Sequence, residues 1–140
     1  MWIVLALVLA VVWRRPWLLV LVAGADAIAD LLAAGLKLIT GVERPAYRYA
    51  EPRPLVHVPH DGSFPSGHTA TSFACATILT FAFPRGGPGF FLLALAIGFS
   101  RIYVGAHWPL DVVGGAFLGV LVGLTLKRLV SRVRVRGSTF

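Results

Sequence analysis

Charged residues are scarce in this 140-residue chain, at 14% of the total, and only six of them are acidic, against 13 Lys and Arg. A soluble globular protein carries about 25% charged residues, so a soluble domain is excluded. The 57% hydrophobic content and mean hydropathy of +0.80 instead indicate an integral membrane protein. A chain of this length has room for one domain, which we place at residues 1–140.

The sequence has a single cysteine, Cys75, and this residue lies within an apolar segment. One cysteine excludes a disulfide framework and a cysteine-based metal site, so we expect Cys75 to serve packing. The net charge of +7 would raise the question of nucleic acid in a soluble protein. Here we predict membrane lipids and no nucleic acid as partners, because five basic residues follow the last apolar run. They are Lys127, Arg128, Arg132, Arg134 and Arg136.

Five apolar segments are separated by charged and Pro/Gly-rich stretches. Four of them have 18 or more residues, and at 1.5 Å per residue each covers close to the roughly 30 Å hydrocarbon core. Because a lipid-exposed backbone must satisfy its own hydrogen bonds, we predict an all-α membrane helix bundle with four transmembrane helices. The first segment is shorter, and it fits a thin span, a half-helix or a membrane-surface anchor. Of these we favour a short N-terminal span. The segments are Trp2–Trp13, Trp17–Ile39, Ser66–Phe83, Gly89–Ala106 and Pro109–Leu126.

The basic residues also predict an orientation. Arg14, Arg15, Arg85 and a basic tail at about 127–140 lie on one side, which the positive-inside rule makes cytoplasmic. The polar loop at about 40–65 then faces outward. Five of the 13 basic residues lie on that outer side and eight on the cytoplasmic side, so the cationic cluster on the outer side needs its own explanation. We expect a protein of the bacterial cytoplasmic membrane whose site faces outward.

Polar residues gather at three helix ends on this outer side. At the first, Lys37 is followed seven residues later by Arg44, so two cations flank one turn. At the third, Ser100-Arg101 is followed by His107 and Asp111. A carboxylate four residues after a histidine can reach the imidazole, fix its tautomer and stabilise its cationic form, if the helix is already wound there.

The second helix end is the sequence Ser63-Phe64-Pro65-Ser66-Gly67-His68. It predicts a helix N-terminus with Ser63 as the N-cap and Pro65 at the first helical position. Backbone N–H groups at Ser66 and Gly67, together with the helix dipole, favour an anion such as phosphate at this end.

Together these groups are suited to phosphoryl transfer. Cations and N–H donors can neutralise the phosphoryl oxygens, one histidine can attack phosphorus and the other can protonate the leaving oxygen. We expect no metal and no cofactor, because a two-metal site would lack ligands. The available candidates are only His57, His60, Asp61, His68, His107 and Asp111.

The three elements, in this order at membrane-helix ends, resemble the tripartite signature of the type-2 phosphatidic acid phosphatase and vanadium haloperoxidase superfamily. The signature region spans about half of the chain. The resemblance implies that His107 is the nucleophile that forms a phosphohistidine, that Asp111 orients it and that His68 is the general acid. The phosphate-binding residues that it implies are Lys37, Arg44, Ser66, Gly67 and Arg101.

The resemblance further implies a membrane lipid phosphatase that hydrolyses a lipid phosphate or diphosphate. Candidate substrates are a polyprenyl diphosphate such as undecaprenyl diphosphate, which we rank first, phosphatidic acid and phosphatidylglycerol phosphate. Two alternatives remain, namely a phosphotransferase that uses the same intermediate and a non-catalytic lipid-phosphate binding protein. A haloperoxidase is disfavoured because those relatives are larger and soluble. Membrane relatives usually have six spanning helices, so we expect the N-terminal part here to be reduced or trimmed.

Two further features lie within the predicted spans. Asp26 and Asp30 are one turn apart at membrane depth, where a carboxylate is costly. They either face a cation or a water-filled cavity, or form a hydrogen-bonded structural pair. Small residues recur along the last segment and predict close helix packing. These are Gly114, Gly115, Gly119 and Gly123.

Overall fold

The computed structural model describes residues 1–49 and 54–137, with side chains described as far as residue 132. Within these residues all regular secondary structure is helical, which confirms the predicted all-α class. A short 3₁₀ helix, Pro84–Gly86, joins the fourth and fifth helices. The α-helices are α1 (Trp2–Val12), α2 (Trp17–Thr40), α3 (Pro45–Arg48), α4 (Gly67–Ala82), α5 (Gly87–Tyr103) and α6 (Pro109–Gly137).

Three segments of the described chain are long and apolar enough to cross a membrane, rather than the four that the sequence predicts. They are Trp17–Arg48, Pro84–Tyr103 and Pro109–Arg132, which contain α2, α5 and most of α6. The predicted span Ser66–Phe83 is shorter than expected, because Ser66 and Phe83 are the caps of α4 and only 16 residues are helical. Such a helix rises about 24 Å.

Helix α4 is the centre of the bundle. Helices α1, α2, α5 and α6 all contact it, and 11 of its 16 residues are buried. Its hydroxyl groups do not disturb this interior. Thr77 and Thr80 each donate to the carbonyl four residues earlier on the same helix, at 2.7 Å, so their polar atoms are satisfied.

The small-residue face of α6 packs directly on the backbone of α4, as predicted. A Cβ atom at Gly115 would lie 2.5 Å from the Ser66 carbonyl oxygen, and one at Gly119 would collide with the Ala70 carbonyl oxygen. Glycines at these positions therefore allow the two helix axes to approach closely. This contact brings the N-terminal ends of α4 and α6 together.

Helix α1 is short, as the sequence predicts. Its 11 residues rise about 16 Å, roughly half of the hydrocarbon core. Trp2, Ala6 and Ala10, spaced four residues apart, form its buried face. The Trp2 indole Nε1 donates to Ser72 Oγ on α4 at 3.0 Å, so this hydrogen bond fixes the start of α1 to the centre of the bundle.

The predicted basic tail is a continuation of a helix. α6 runs on to Gly137 instead of ending near Leu126, so Lys127 and Arg128 project from the same helix. The Lys127 ammonium lies 3.7 Å from the centre of the Phe81 ring on α4, a cation–π contact that sequence spacing does not reveal. Residues 138–140 of the predicted tail and 50–53 of the predicted outer loop lie outside the described residues.

The packing of α6 on α4 generates a stability prediction. We expect Gly119→Ala to lower the melting temperature of the detergent-solubilised protein, because the added Cβ meets backbone that cannot move aside; overpacking of this kind typically costs about 1–3 kcal/mol. Gly24→Ala on α2 is the matched control, since a Cβ there meets nothing within 4 Å. Equal melting temperatures for the two variants would contradict the proposed close contact.

Candidate active site

The first predicted helix end is shaped by a glycine. Gly41 ends α2 in the left-handed region, with φ of 57°, and its N–H donates to the Lys37 carbonyl. The chain then turns, so that Arg44 becomes the N-cap of α3 and Pro45 its first residue. Lys37 stays on the last turn of α2. The two predicted cations therefore lie on either side of one tight turn.

The Arg44 guanidinium is buried, with 3% of the residue exposed, and it connects the first helix end to the third. Its Nη1 donates to the Ala106 carbonyl at 3.0 Å and lies 3.1 Å from His107 Nε2. Its Nε donates to the Asp61 carbonyl at 3.2 Å, and its Nη2 to Asp61 Oδ1 at 2.6 Å. A buried guanidinium needs several such acceptors, and these four bonds supply them.

His107 and Asp111 form the predicted pair, although His107 precedes the helix. His107 Nδ1 lies 3.4 Å from Asp111 Oδ2, and both residues are buried. The carboxylate reaches back because it stands at the third position of α6 and accepts the Trp108 N–H at 2.8 Å. Because arginine can only donate, His107 Nε2 accepts from Arg44, which assigns the proton of a neutral ring to Nδ1, facing Asp111.

Ser63 belongs to this cluster. The sequence predicted it to be the N-cap of α4, and this prediction is wrong. Its hydroxyl donates to Asp111 Oδ2 and lies 3.4 Å from His107 Nδ1. The N-cap is Ser66 and the helix begins at Gly67, so Pro65 is not at the first helical position either. Ser63 caps nothing locally because its hydroxyl is used by α6, a partner 48 residues away.

The predicted anion site at the start of α4 is partly occupied by the protein itself. The Ser66 N–H donates to the Asp111 carbonyl at 2.9 Å, and Ser66 Oγ accepts the Thr69 hydroxyl at 3.0 Å. The N–H groups of the first turn from Gly67 onward have no partner within the helix. The expectation that Ser66 offers a free N–H is therefore wrong, while Gly67 stands at the first helical position.

His68 and Arg101 complete the set. His68 is exposed on the first turn of α4 and, with Asp26, Thr71 and Ser72, lines a cavity of about 300 Å³. Arg101 lies on the last turn of α5, where its Nε donates to Ser100 Oγ at 3.1 Å. Arg101 and Lys37 place two positive charges near His68.

The main chain of Arg101 also positions the third helix end. Its carbonyl accepts the N–H groups of Ala106 and His107, at 3.1 and 3.2 Å, so the turn after α5 folds back on the helix. All eight predicted residues therefore stand at one end of the bundle, on the ends of α2, α4, α5 and α6 and the adjoining turns.

Asp61 was missed as a site residue by the sequence reasoning, which weighed it only as a potential metal ligand. Its Oδ2 lies 2.7 Å from Lys37 Nζ and its Oδ1 2.6 Å from Arg44 Nη2. Partial burial raises the pKa of Asp61, but the hydrogen bonds from Lys37 and Arg44 outweigh this and hold the pKa below its usual value. The carboxylate is therefore ionised at neutral pH. No spacing rule marks an acid 24 residues from its partner.

The sequence is similar to those of known proteins over most of the chain. Residues 15–134 match the PAP2 superfamily. The chain belongs to the PAP2 superfamily. It is 37% identical over 123 residues to the undecaprenyl-diphosphatase BcrC of Bacillus subtilis (strain 168), an alignment that covers 82% of this chain and 60% of BcrC. The chain thus spans less than two thirds of that relative's length.

Two further relatives extend the comparison. The decaprenylphosphoryl-5-phosphoribose phosphatase of Mycobacterium tuberculosis (strain ATCC 25618 / H37Rv) is 37% identical over 128 residues, covering 87% of this chain and 67% of the relative. The crystal structure of Aquifex aeolicus LpxE superposes with a TM-score of 0.75 at 32% identity, covering 91% of this chain and 77% of that one. The similarity therefore extends to the arrangement of the helices.

Cys75 and His60, both outside the predicted set of site residues, make contacts of their own in this PAP2 chain. Cys75 is buried, as expected, and its Sγ lies 3.8 Å from Asp26 Oδ1. The His60 ring stacks on Tyr47 with centroids 4.8 Å apart. Within residues 1–49 and 54–132, no group of three or more His, Cys, Asp or Glu side chains is placed to hold a metal ion. Independence from metals stays a prediction.

The Ser63 hydroxyl leads to a testable prediction. We expect Ser63→Ala to destabilise the protein by about 1–3 kcal/mol, because the buried Asp111 carboxylate loses a donor, and to lower turnover by releasing the carboxylate that orients His107. Melting temperature and phosphate release in detergent measure the two effects. Ser131→Ala is the control, since that exposed hydroxyl bonds only to the carbonyl of Arg128 on its own helix. A Ser63→Ala protein with unchanged stability would refute the anchoring role.

Proposed function

We propose that this PAP2 chain is a membrane lipid phosphatase that hydrolyses a lipid phosphate or diphosphate through a phosphohistidine on His107. The observation that carries the proposal is the buried His107 ring, with Nδ1 facing the Asp111 carboxylate and Nε2 facing the Arg44 guanidinium. A carboxylate on one side of an imidazole makes the opposite nitrogen a better nucleophile and stabilises the cation formed on attack. The neighbouring guanidinium is suited to a phosphoryl oxygen.

The proposed reaction has two steps. His107 Nε2 attacks phosphorus, the bond from phosphorus to the leaving oxygen breaks, and His68 protonates that oxygen. Water then attacks the phosphohistidine while His68 accepts its proton, which releases phosphate and restores both histidines. Asp111 stabilises the charged His107 ring throughout.

Charge on the phosphoryl oxygens falls to the surrounding cations. We assign this role to Lys37, Arg44 and Arg101, and to the backbone N–H groups of the first turn of α4 from Gly67 onward. Positive groups and oriented N–H donors stabilise the transition state of phosphoryl transfer most when they are already fixed in place. The four bonds of Arg44 support such preorganisation.

A polyprenyl diphosphate remains our first choice of substrate class. Two relatives carry names that refer to undecaprenyl diphosphate and to a decaprenylphosphoryl sugar. The described helices expose apolar side chains, among them Leu31 on α2, Leu92 on α5 and Phe117 on α6, and the site stands at their ends. This arrangement suits an amphiphile whose headgroup lies at the membrane surface while its chain stays in the bilayer.

We also propose that the site end of the bundle faces outward across the bacterial cytoplasmic membrane, with the basic end of α6 on the cytoplasmic side. In this arrangement α4 crosses as a fourth span. Its short length is tolerated because neighbouring helices, rather than lipid, surround it.

The proposal is tested by phosphate release from purified protein in detergent with EDTA present. Substrates are undecaprenyl diphosphate, phosphatidic acid and phosphatidylglycerol phosphate. We expect His107→Ala to lower release by at least about 10³-fold, because the nucleophile is gone, and EDTA to leave the wild type unaffected. His57→Ala, at an exposed loop histidine, is the matched control and keeps its activity. Turnover retained by folded His107→Ala would overturn the assignment.

A further inference from the structure

The Asp61 carboxylate is paired with Lys37 and Arg44, two of the cations assigned above to the phosphate group. Arginine has five N–H donors, and four bonds already engage Arg44: one from Nε, two from Nη1 and one from Nη2 to Asp61 Oδ1. The ammonium of Lys37 is paired with the other Asp61 oxygen. A phosphoryl group that uses Nη2 of Arg44 and Nζ of Lys37 must therefore compete with Asp61.

The backbone around Asp61 is held independently of its side chain. The Asp61 carbonyl accepts from Arg44 Nε at 3.2 Å, and the Ser63 N–H donates to the Val42 carbonyl at 2.7 Å. Gly62 lies so close to the end of α2 that a Cβ there would be 2.7 Å from the Lys37 carbonyl oxygen. The Asp61 side chain itself is 44% exposed. The carboxylate can thus rotate away from the cations while the loop keeps its place.

The charge of a phosphate group decides whether the group can displace the Asp61 carboxylate. A phosphodiester headgroup carries one negative charge, as a carboxylate does, whereas a phosphate monoester carries about −1.5 to −2 at pH 7. A carboxylate attached to the same chain also acts at a high effective concentration. A monoanion from solution or from the bilayer is therefore at a disadvantage, while a dianion gains roughly twice the Coulomb attraction to the same two cations.

We propose that Asp61 is a specificity-determining residue: dianionic terminal phosphate groups displace its carboxylate from Lys37 and Arg44, whereas monoanionic phosphodiesters do not. Phosphodiester headgroups surround any protein in a phospholipid bilayer. Without the Asp61 carboxylate, Lys37 and Arg44 would therefore bind lipids that are not substrates. The inference rests on the proposed function, because it takes Lys37 and Arg44 as the phosphate site.

The test measures binding, so that it does not depend on turnover. The probes are methyl phosphate, a dianion at about pH 8, and dimethyl phosphate, a monoanionic diester. The readout is the dependence of the melting temperature on probe concentration in an uncharged detergent. We expect the wild type to be stabilised by methyl phosphate alone. Asp61→Asn is expected to bind both probes, with an affinity for dimethyl phosphate at least about tenfold above that of the wild type.

Two matched variants sharpen the result. Asp61→Glu keeps the negative charge and is expected to restore the exclusion of dimethyl phosphate. Glu43→Gln removes an acidic group from the same outer turn, where the carboxylate is not paired with Lys37 or Arg44 in the described structure, and should discriminate as the wild type does. If Asp61→Asn does not fold, Asp61→Ala is measured instead, since it keeps the main-chain bond to Arg44.

The outcomes separate this inference from the function it rests on. A wild type that binds methyl phosphate, with a folded Asp61→Asn that still excludes dimethyl phosphate, would overturn the role of Asp61 alone. Weaker binding of both probes by Asp61→Asn would do the same, because it would show Asp61 to be only a support for the cations. Failure of both proteins to bind methyl phosphate would overturn the phosphate site, and the role of Asp61 with it.

Discussion

The contact between α4 and α6 is the constraint on which the rest of the site depends. Because Gly115 and Gly119 present no side chain, α6 lies against the backbone of α4, and the N-terminal ends of both helices meet. Only at this separation can the Ser66 N–H reach the Asp111 carbonyl and the Ser63 hydroxyl reach the Asp111 carboxylate. The loop that precedes α4 and the Asp111 residue near the start of α6 are thus joined by hydrogen bonds beside His107.

The second requirement is electrostatic. A buried guanidinium is stable only when acceptors surround it, and Arg44 finds them on Asp61, Ala106 and His107. These acceptors lie on two different turns of the chain, so the charge of Arg44 holds those turns together, and its Nη1 lies beside His107 Nε2. In the same arrangement Asp61 shares Lys37 and Arg44, so the cations that would bind substrate are also balanced in its absence.

Sequence reasoning succeeded where the information was local. The helical segments follow from the length of the apolar runs and from the Pro/Gly-rich stretches between them. The cations that flank one turn and the carboxylate four residues after His107 follow from spacing. It failed where a side chain forms a hydrogen bond with a residue far away in the sequence. The sequence predicts Ser63 as a helix cap because serine is a common N-cap residue, yet its hydroxyl bonds to Asp111 on α6. The helix starts at Gly67 after a Ser66 cap, two residues beyond the predicted first position, Pro65. Likewise, α4 is buried rather than lipid-exposed, which hydropathy alone does not distinguish.

By itself the sequence determined that the chain is a helical membrane protein and that eight chemically suited residues stand at helix ends, because hydrophobic length and local spacing are properties of the chain. Only the tertiary structure decided how those ends face one another. It turned the Asp111 carboxylate and the Ser63 hydroxyl toward one nitrogen of His107 and the Arg44 guanidinium toward the other, and it placed Asp61 across Lys37 and Arg44. Hydrogen bonds between residues tens of positions apart depend on helix packing, and no local pattern in the sequence specifies them.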